Sequence, residues 1–327
     1  MSERIRWGIL GTGMIAKQFA GDLRASETCE LVATGSRSPD MAKRFAGRYG
    51  GEGFGSYESV LEDERVDAVY VSLPNAMHRE WTIRSLESGK HVLCEKPMAL
   101  TAWEAEEMFK VAEREGNVLI EAFMFRAHPQ MAHLLRMVRE ERVLGDLRFI
   151  RSNFTFARAV DESDARYADS KGGGSIMDVG CYCVNFARAI TGIEPTDLEC
   201  FAHVHEHGVD DYAAGVLRFG ENILMTFTCG MTVRSDARTF VAGTEGTLEL
   251  ERFWFCRDAI LLGKSDGSIQ EVRIDTGQPL YALEADAFAE AVRGGVRFVE
   301  PADTMGNMRV LDALRRKAGF RVTNGQA

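Results

Sequence analysis

The first residues able to do chemistry sit in a glycine-rich turn, Gly11-Thr12-Gly13-Met14-Ile15-Ala16, between an apolar run at 5–10 and an amphipathic stretch. In this GxGxxA pattern the first glycine permits the tight turn. The second lets backbone approach a pyrophosphate, and the small third residue lets helix and strand pack. Backbone N–H groups at the helix start then favour an anionic diphosphate. Gly11, Thr12, Gly13, Met14 and Ile15 are thus candidate dinucleotide contacts, the more so inside a βαβ unit of about 30 residues. The next apolar run ends in Gly35-Ser36-Arg37-Ser38, where NAD-selective sites place an Asp or Glu for the ribose 2′-hydroxyl. A hydroxyl and a guanidinium fork instead suit a 2′-phosphate. NADP(H) is therefore expected as the preferred cofactor, with NAD(H) left open; Arg37 could also stack on the adenine or face solvent. A third candidate is Lys96 in Glu95-Lys96-Pro97, at the end of a run covering 91–94. Carboxyl ends of parallel strands face the ligand crevice, so Lys96 is expected near the nicotinamide, with X–Pro geometry allowing a cis bond. On spacing alone, a surface lysine before a helix fits as well.

These motifs, with Leu73-Pro74-Asn75 and His78, Glu121-Ala122-Phe123-Met124-Phe125-Arg126-Ala127-His128-Pro129, and Gly172-Gly173-Gly174-Ser175-Ile176-Met177-Asp178-Val179-Gly180-Cys181-Tyr182, resemble the Gfo/Idh/MocA oxidoreductases. The likeness runs through essentially the whole chain and is strongest to the dihydrodiol dehydrogenase and NADP-dependent D-xylose dehydrogenase branch. It implies Lys96, Asp178 and Tyr182 as the catalytic positions. Many relatives carry histidine in place of Tyr182. Asp178 and Tyr182, four apart, share a face if helical. It implies cofactor contacts from Leu73, Pro74, Asn75, His78, Glu95, Lys96 and Arg166, and a homodimer or higher oligomer formed through open sheet faces. Ala165-Arg166 stands where many relatives have Trp-Arg, which alters the expected pocket.

The chemistry expected is hydride transfer between nicotinamide C4 and a carbinol or carbonyl carbon of a sugar (pyranose) or cyclic diol. A tyrosine near pKa 10 is a poor base at neutrality, and a neighbouring ammonium favours its phenolate. Tyr182 is therefore read as proton donor/acceptor, Lys96 as its electrostatic partner and Asp178 as orienter; Lys96 as the acid/base stays open. Substrate contacts are expected from Lys96, Phe125, Arg126, Phe154, Phe156, Arg158, Arg166, Asp178, Tyr182 and Asn185, though Phe154 and Phe156 fit a core equally well. The alternative is a non-catalytic regulator that senses cofactor or sugar.

Elements must position these residues. Runs at 5–10, 30–36, 68–72, 91–94 and 118–122 alternate with helical patterns at 14–25, 39–49, 78–88 and 102–115, arguing a doubly wound parallel sheet. Thr101 with Glu104 reads as a capping box, and Ser38-Pro39 as an N-cap before a helical proline. After a helix at 129–141, strand-like runs at 147–156, 198–207, 212–219, 222–228 and 247–252 suggest an open, mostly antiparallel sheet. Helices at 176–191, 283–293 and 304–317 are expected on one of its faces. The expected organisation is α/β plus α+β: a Rossmann domain over 1–125, then a substrate-binding and oligomerisation domain over 126–327, with a small-molecule site where the two meet.

The 327 residues hold 39 Lys plus Arg and 49 Asp plus Glu, a net charge of −10, which argues against nucleic acid as a partner. No stretch approaches the roughly 18 apolar residues of a membrane span, and Met1-Ser2-Glu3-Arg4 leads into a strand pattern without an apolar leader. Seven cysteines, odd in number and irregularly spaced, read as buried free thiols of a cytoplasmic protein. His203, His205 and His207 alternate as on one face of a strand and could ligate zinc or nickel, but the resemblance implies no metal there.

Overall fold

A computed structural model describes residues 4–161 and 164–323, so the opening Met1-Ser2-Glu3 lies outside it. The chain forms two compact units, one of residues up to Ala127 with Gly277–Met305, the other of His128–Thr276 with Gly306 onward. The first crossing lies two residues beyond the expected boundary. The return of 277–305 to the first unit departs from an arrangement of two consecutive segments.

In the first unit six parallel strands, β1 (Ile5–Leu10), β2 (Cys29–Gly35), β3 (Glu52–Phe54), β4 (Ala68–Val71), β5 (His91–Glu95) and β6 (Leu119–Ala122), stand in the order β3-β2-β1-β4-β5-β6. The order reverses between β1 and β4, which opens a crevice beyond their carboxyl ends. β4 is buried throughout and β1 nearly so, as strands covered on both faces must be. Helices Met14–Asp22, Pro39–Tyr49, His78–Glu87 and Ala102–Glu115 form the crossovers. Their starts follow the expected chemistry. Ser38 accepts from Met41 N at 3.4 Å with Pro39 at the first position, and Thr101 accepts from Glu104 N at 3.2 Å. The returning Glu104 carboxylate accepts from Leu100 N at 2.9 Å, one residue outside the usual capping box.

The helix Leu280–Val292 corrects the expectation that residues 283–293 cover the second sheet; it packs within the first unit. Its buried Ala282, Ala285 and Ala289 allow close approach, and Phe288 lies 4.9 Å from the Trp7 ring. Cys29 Sγ donates to Ala285 O at 3.4 Å, and Asp286 accepts from Ser26 and Thr28. A small-residue face serves a close helix–sheet contact; sequence order does not say which sheet receives it.

The second unit carries β7 (Leu147–Thr155), β8 (Pro195–Val204), β9 (Asp210–Phe219), β10 (Ile223–Gly230), β11 (Arg238–Gly243), β12 (Gly246–Glu251), β13 (Ile260–Lys264) and β14 (Ile269–Val272), in the order β14-β13-β12-β11-β7-β10-β9-β8. Only the central β7–β10 pair is parallel. Helix Cys181–Thr191 packs on β7 and β10. Cross-strand register puts Phe201, Tyr212 and Val216 together on one face of the sheet, exposed, with Phe201 82% accessible. β3, β11, β13 and β14 went unforeseen; none exceeds six residues. Among the described residues, no helix is long and apolar enough to cross a membrane.

Candidate active site

The turn after β1 has the backbone a dinucleotide needs. Gly11 has φ +106°, and a Cβ there would lie 2.8 Å from Ser72 O, so only glycine fits. A Cβ on Gly13 would meet nothing within 4 Å; the space over the helix start is open. Gly13 is also the N-cap of Met14–Asp22 and offers no side-chain cap. The helix N–H groups thus face open space, the arrangement a diphosphate fills. Met14 is 57% exposed beside it.

At the end of β2, Ser36 is buried and its Oγ accepts from Ser38 N at 3.3 Å; Arg37 is exposed and faces the Tyr57 hydroxyl. A hydroxyl, an unburied guanidinium and no carboxylate follow this strand. After β4, Leu73-Pro74-Asn75 leads into His78, which is fully buried. Its Nε2 lies 2.9 Å from Leu73 O and its Nδ1 3.0 Å from Pro97 O, so one imidazole ties the loop after β4 to the loop after β5. Burial pushes the His78 pKa down, with Lys96 adding to it. His78 is therefore a brace for backbone that could line a nicotinamide.

Lys96 follows β5 directly, half-buried, with the Lys96–Pro97 bond cis. Glu95 is buried, accepts from the Tyr70 hydroxyl, and receives Lys96 N at 3.3 Å. Phe125 is wholly buried, edge-on to Phe123 at 5.9 Å, and Arg126 is paired with Asp303 at 2.6 Å. Both lie in the first unit, although substrate residues were expected from the second domain.

In the second unit the glycine triplet makes a turn rather than a phosphate loop. Gly174 has φ +112°, and a Cβ there would lie 2.3 Å from Asp210 Oδ1. A Cβ on Gly173 would meet Arg166 O at 2.3 Å. This close approach brings the 165–167 turn against the helical segment that follows. Arg166 Nε then donates to Asp178 Oδ2 at 3.0 Å, and its Nη1 pairs with Asp164 at 3.0 Å. The Asp178 charge, with Asp164, raises the Arg166 pKa against the opposing effect of burial. Arg166 was expected at the cofactor; here it clamps the candidate catalytic aspartate.

The helical stretch begins as a π turn, Ile176–Gly180, and continues as the α-helix Cys181–Thr191. Asp210 caps its start: Oδ2 accepts from Ser175 Oγ and Ile176 N, each at 2.7 Å. Burial pushes the Asp210 pKa up to about 6. Asp178 and Tyr182 sit on this one stretch, Asp178 partly open and Tyr182 5% exposed. The Tyr182 ring lies 5.3 Å from Phe154, which stacks on Trp254 at 3.5 Å and 4°. Phe154 and Tyr182 therefore do come together. Trp254 escaped the sequence reading; it sits in a short 3₁₀ turn, Phe253–Phe255, with no periodicity to mark it. Arg158 is exposed over Phe156 at 5.7 Å, and Asn185 is fully buried.

The three histidines do not share a strand face, because β8 ends at Val204. His203 pairs with Asp211 at 2.6 Å and stacks on Tyr212. His205, Glu206 and His207 lie in the following turn with ligand atoms within 4.8 Å of one another.

Two family models match in sequence: an oxidoreductase family with an NAD-binding Rossmann fold over residues 5–123, and the GFO/IDH/MocA C-terminal domain over 132–249. The chain belongs to the Gfo/Idh/MocA oxidoreductase family. It is an NAD(P)-dependent oxidoreductase built as a Rossmann sheet plus an open mixed sheet, as the sequence resemblance implied. It is 33% identical over 318 residues to a D-xylose 1-dehydrogenase (NADP(+)) of Haloferax volcanii, covering 95% of this chain and 97% of that one. It is 32% identical to a trans-1,2-dihydrobenzene-1,2-diol dehydrogenase of Mus musculus, covering 80% and 78%. The crystal structure of a 3-ketoreductase from Actinomadura kijaniata with NADP and TDP-benzene superposes with a TM-score of 0.87 at 31% identity, covering 96% and 98%.

Proposed function

We propose that this chain is an NADP(H)-dependent oxidoreductase that interconverts a carbinol and a carbonyl on a pyranose or cyclic diol. The observation that carries this reading is the set on one helical stretch of the second unit. A buried tyrosine and an arginine-clamped aspartate stand there beside a stacked Phe154–Trp254 shelf. A ring substrate with an apolar face and several hydroxyls suits a flat aromatic surface edged by such polar groups. The preference for the phosphorylated dinucleotide rests on Ser36 and Arg37 at the end of β2, where a carboxylate would repel a 2′-phosphate. The named relatives, an NADP-dependent xylose dehydrogenase and a dihydrodiol dehydrogenase, span the substrate classes this reading allows.

When bound, the nicotinamide supplies the hydride chemistry; the protein supplies the proton and the orientation. Gly11, Gly13 and the following helix start hold the diphosphate, and Leu73, Pro74, Asn75 and Glu95 line its approach. Tyr182 gives or takes the proton at the reacting oxygen. The Lys96 ammonium favours the phenolate and donates to that oxygen. Asp178, held by Arg166, orients a neighbouring hydroxyl. Phe154 and Arg158 contribute to the substrate face.

We further propose self-association through the sheet face bearing Phe201, Tyr212 and Val216, since an exposed apolar patch of this kind marks an interface. Seven free thiols, six of them buried, suit a reducing, cytoplasmic setting.

The test is a screen of aldoses, inositols and cyclic diols with NADP⁺ and NAD⁺, repeated on Tyr182→Phe and Lys96→Met. Tyr182→Phe is expected to lower kcat by about 10²–10⁴ and to abolish the acid/base limb of the pH–rate profile. Near-wild-type kcat in Tyr182→Phe, with the limb lost in Lys96→Met, reverses the assignment. Cofactor binding without turnover of any cyclic polyol removes the proposed substrate class.

A further inference from the structure

The mechanism leaves one fully buried ionisable group unused. Glu284, on helix Leu280–Val292, has no exposed surface. Neither of its carboxyl oxygens has a hydrogen-bond partner among the described residues, and no cation pairs with it there. The groups that face it electrostatically are Glu95 at the end of β5 and Tyr70 on β4, with Tyr281 of its own helix acting on the same tyrosine. Tyr70 is itself fully buried, stacks on Phe19 at 4.1 Å and donates its hydroxyl to Glu95. Glu95 immediately precedes Lys96 and receives its backbone N–H at 3.3 Å.

Two carboxyls in one low-dielectric site do not both ionise; one proton stays between them. Glu95 already accepts the tyrosine hydroxyl and the lysine N–H, contacts that favour its charged form. Glu284 has nothing to stabilise a charge, and an uncompensated buried carboxylate costs several kcal/mol. The proton therefore resides on Glu284. Burial and the Glu95 charge push its pKa in the same direction, well above the usual carboxylate range.

We propose that Glu284 and Glu95 share one proton as a coupled buried pair, which makes Glu284 a positioning residue for Lys96. The pair then holds a single negative charge at the strand end that presents the lysine. Glu284→Gln, neutral and polar, imitates the protonated state, whereas Glu284→Leu removes the polar partner without adding charge. This inference rests on Lys96 being functional, so its first readout is independent of turnover. Wild type at neutral pH should show the infrared carbonyl band of a buried carboxylic acid, and Glu284→Gln should lack it. The second readout is kinetic. Glu284→Gln should retain kcat within about threefold, while Glu284→Leu loses about tenfold or more with the dinucleotide KM nearly unchanged, and its pH–rate limb moves. Replacing an unpartnered buried acid by leucine should not lower Tm, so misfolding does not account for that loss. Absence of the protonated band overturns the shared proton. The band with equal kcat and pH profiles in Glu284→Gln and Glu284→Leu overturns the positioning role. If no substrate turns over in any variant, the infrared result still decides the shared proton, and the failure belongs to the substrate reading.

Discussion

Replacing Asp210 by Asn should make the protein's stability less sensitive to pH, in a direction fixed by where Asp210 sits. The side chain is 3% exposed at the start of β9, and its Oδ2 accepts two bonds at 2.7 Å from the first residues of the helical stretch that carries Asp178 and Tyr182. Burial outweighs these bonds and raises its pKa from 3.8 to about 6. A carboxyl whose folded-state pKa exceeds its unfolded value contributes stability that is fully present below the unfolded value and lost as pH rises through the folded one. The window is therefore about pH 4 to 6. The shift of about two units corresponds to about 3 kcal/mol at 1.36 kcal/mol per unit. Asparagine has the same shape and an accepting oxygen but does not titrate. The stability of Asp210→Asn relative to wild type should rise by that amount between pH 4 and pH 7, whatever the offset at pH 4. At about 2–4 °C per kcal/mol for domains of this size, the gap in Tm should widen by roughly 6–12 °C. Thermal melts followed by circular dichroism at half-unit pH steps measure it. A gap that stays flat across the window, or narrows as pH rises, would show that the cap is a well-solvated or well-compensated carboxylate and that the reasoning from burial is wrong.

The cofactor reading makes a sharper demand on two residues. Ser36→Asp combined with Arg37→Ala should invert the ratio of kcat/KM for NADP(H) over NAD(H), each lost charge-assisted contact being worth about 1.5–3 kcal/mol when well formed and less for the exposed Arg37; an unchanged ratio would place the 2′-phosphate elsewhere. Arg166→Met frees Asp178 from a guanidinium 3.0 Å away and should lower kcat by about tenfold or more, with Arg166→Lys recovering part of the loss. An effect confined to the dinucleotide KM would return Arg166 to the cofactor role expected from sequence.

Much of the Rossmann half was legible because its signals are local. A strand buried on both faces is a run of apolar residues, a helix start is a serine or threonine with its partner three residues on, and a tight turn under a phosphate needs glycine at Gly11 and Gly13. The large sheet was legible only where alternation ran long enough to be seen; β13 and β14 were too short. Tertiary structure decided what depends on distant segments meeting. Residues 277–305 return to the first unit because an alanine face fits closely there, a choice no local pattern encodes. Arg166 turns to Asp178 because two glycines let backbone approach where any side chain would collide. Trp254 joins Phe154, and Glu284 comes within electrostatic reach of Glu95, across sequence separations of 100 and 189 residues. Local propensity speaks for the residues of one element, whereas the charge and shape of a site are sums over elements, set only when packing has chosen the neighbours.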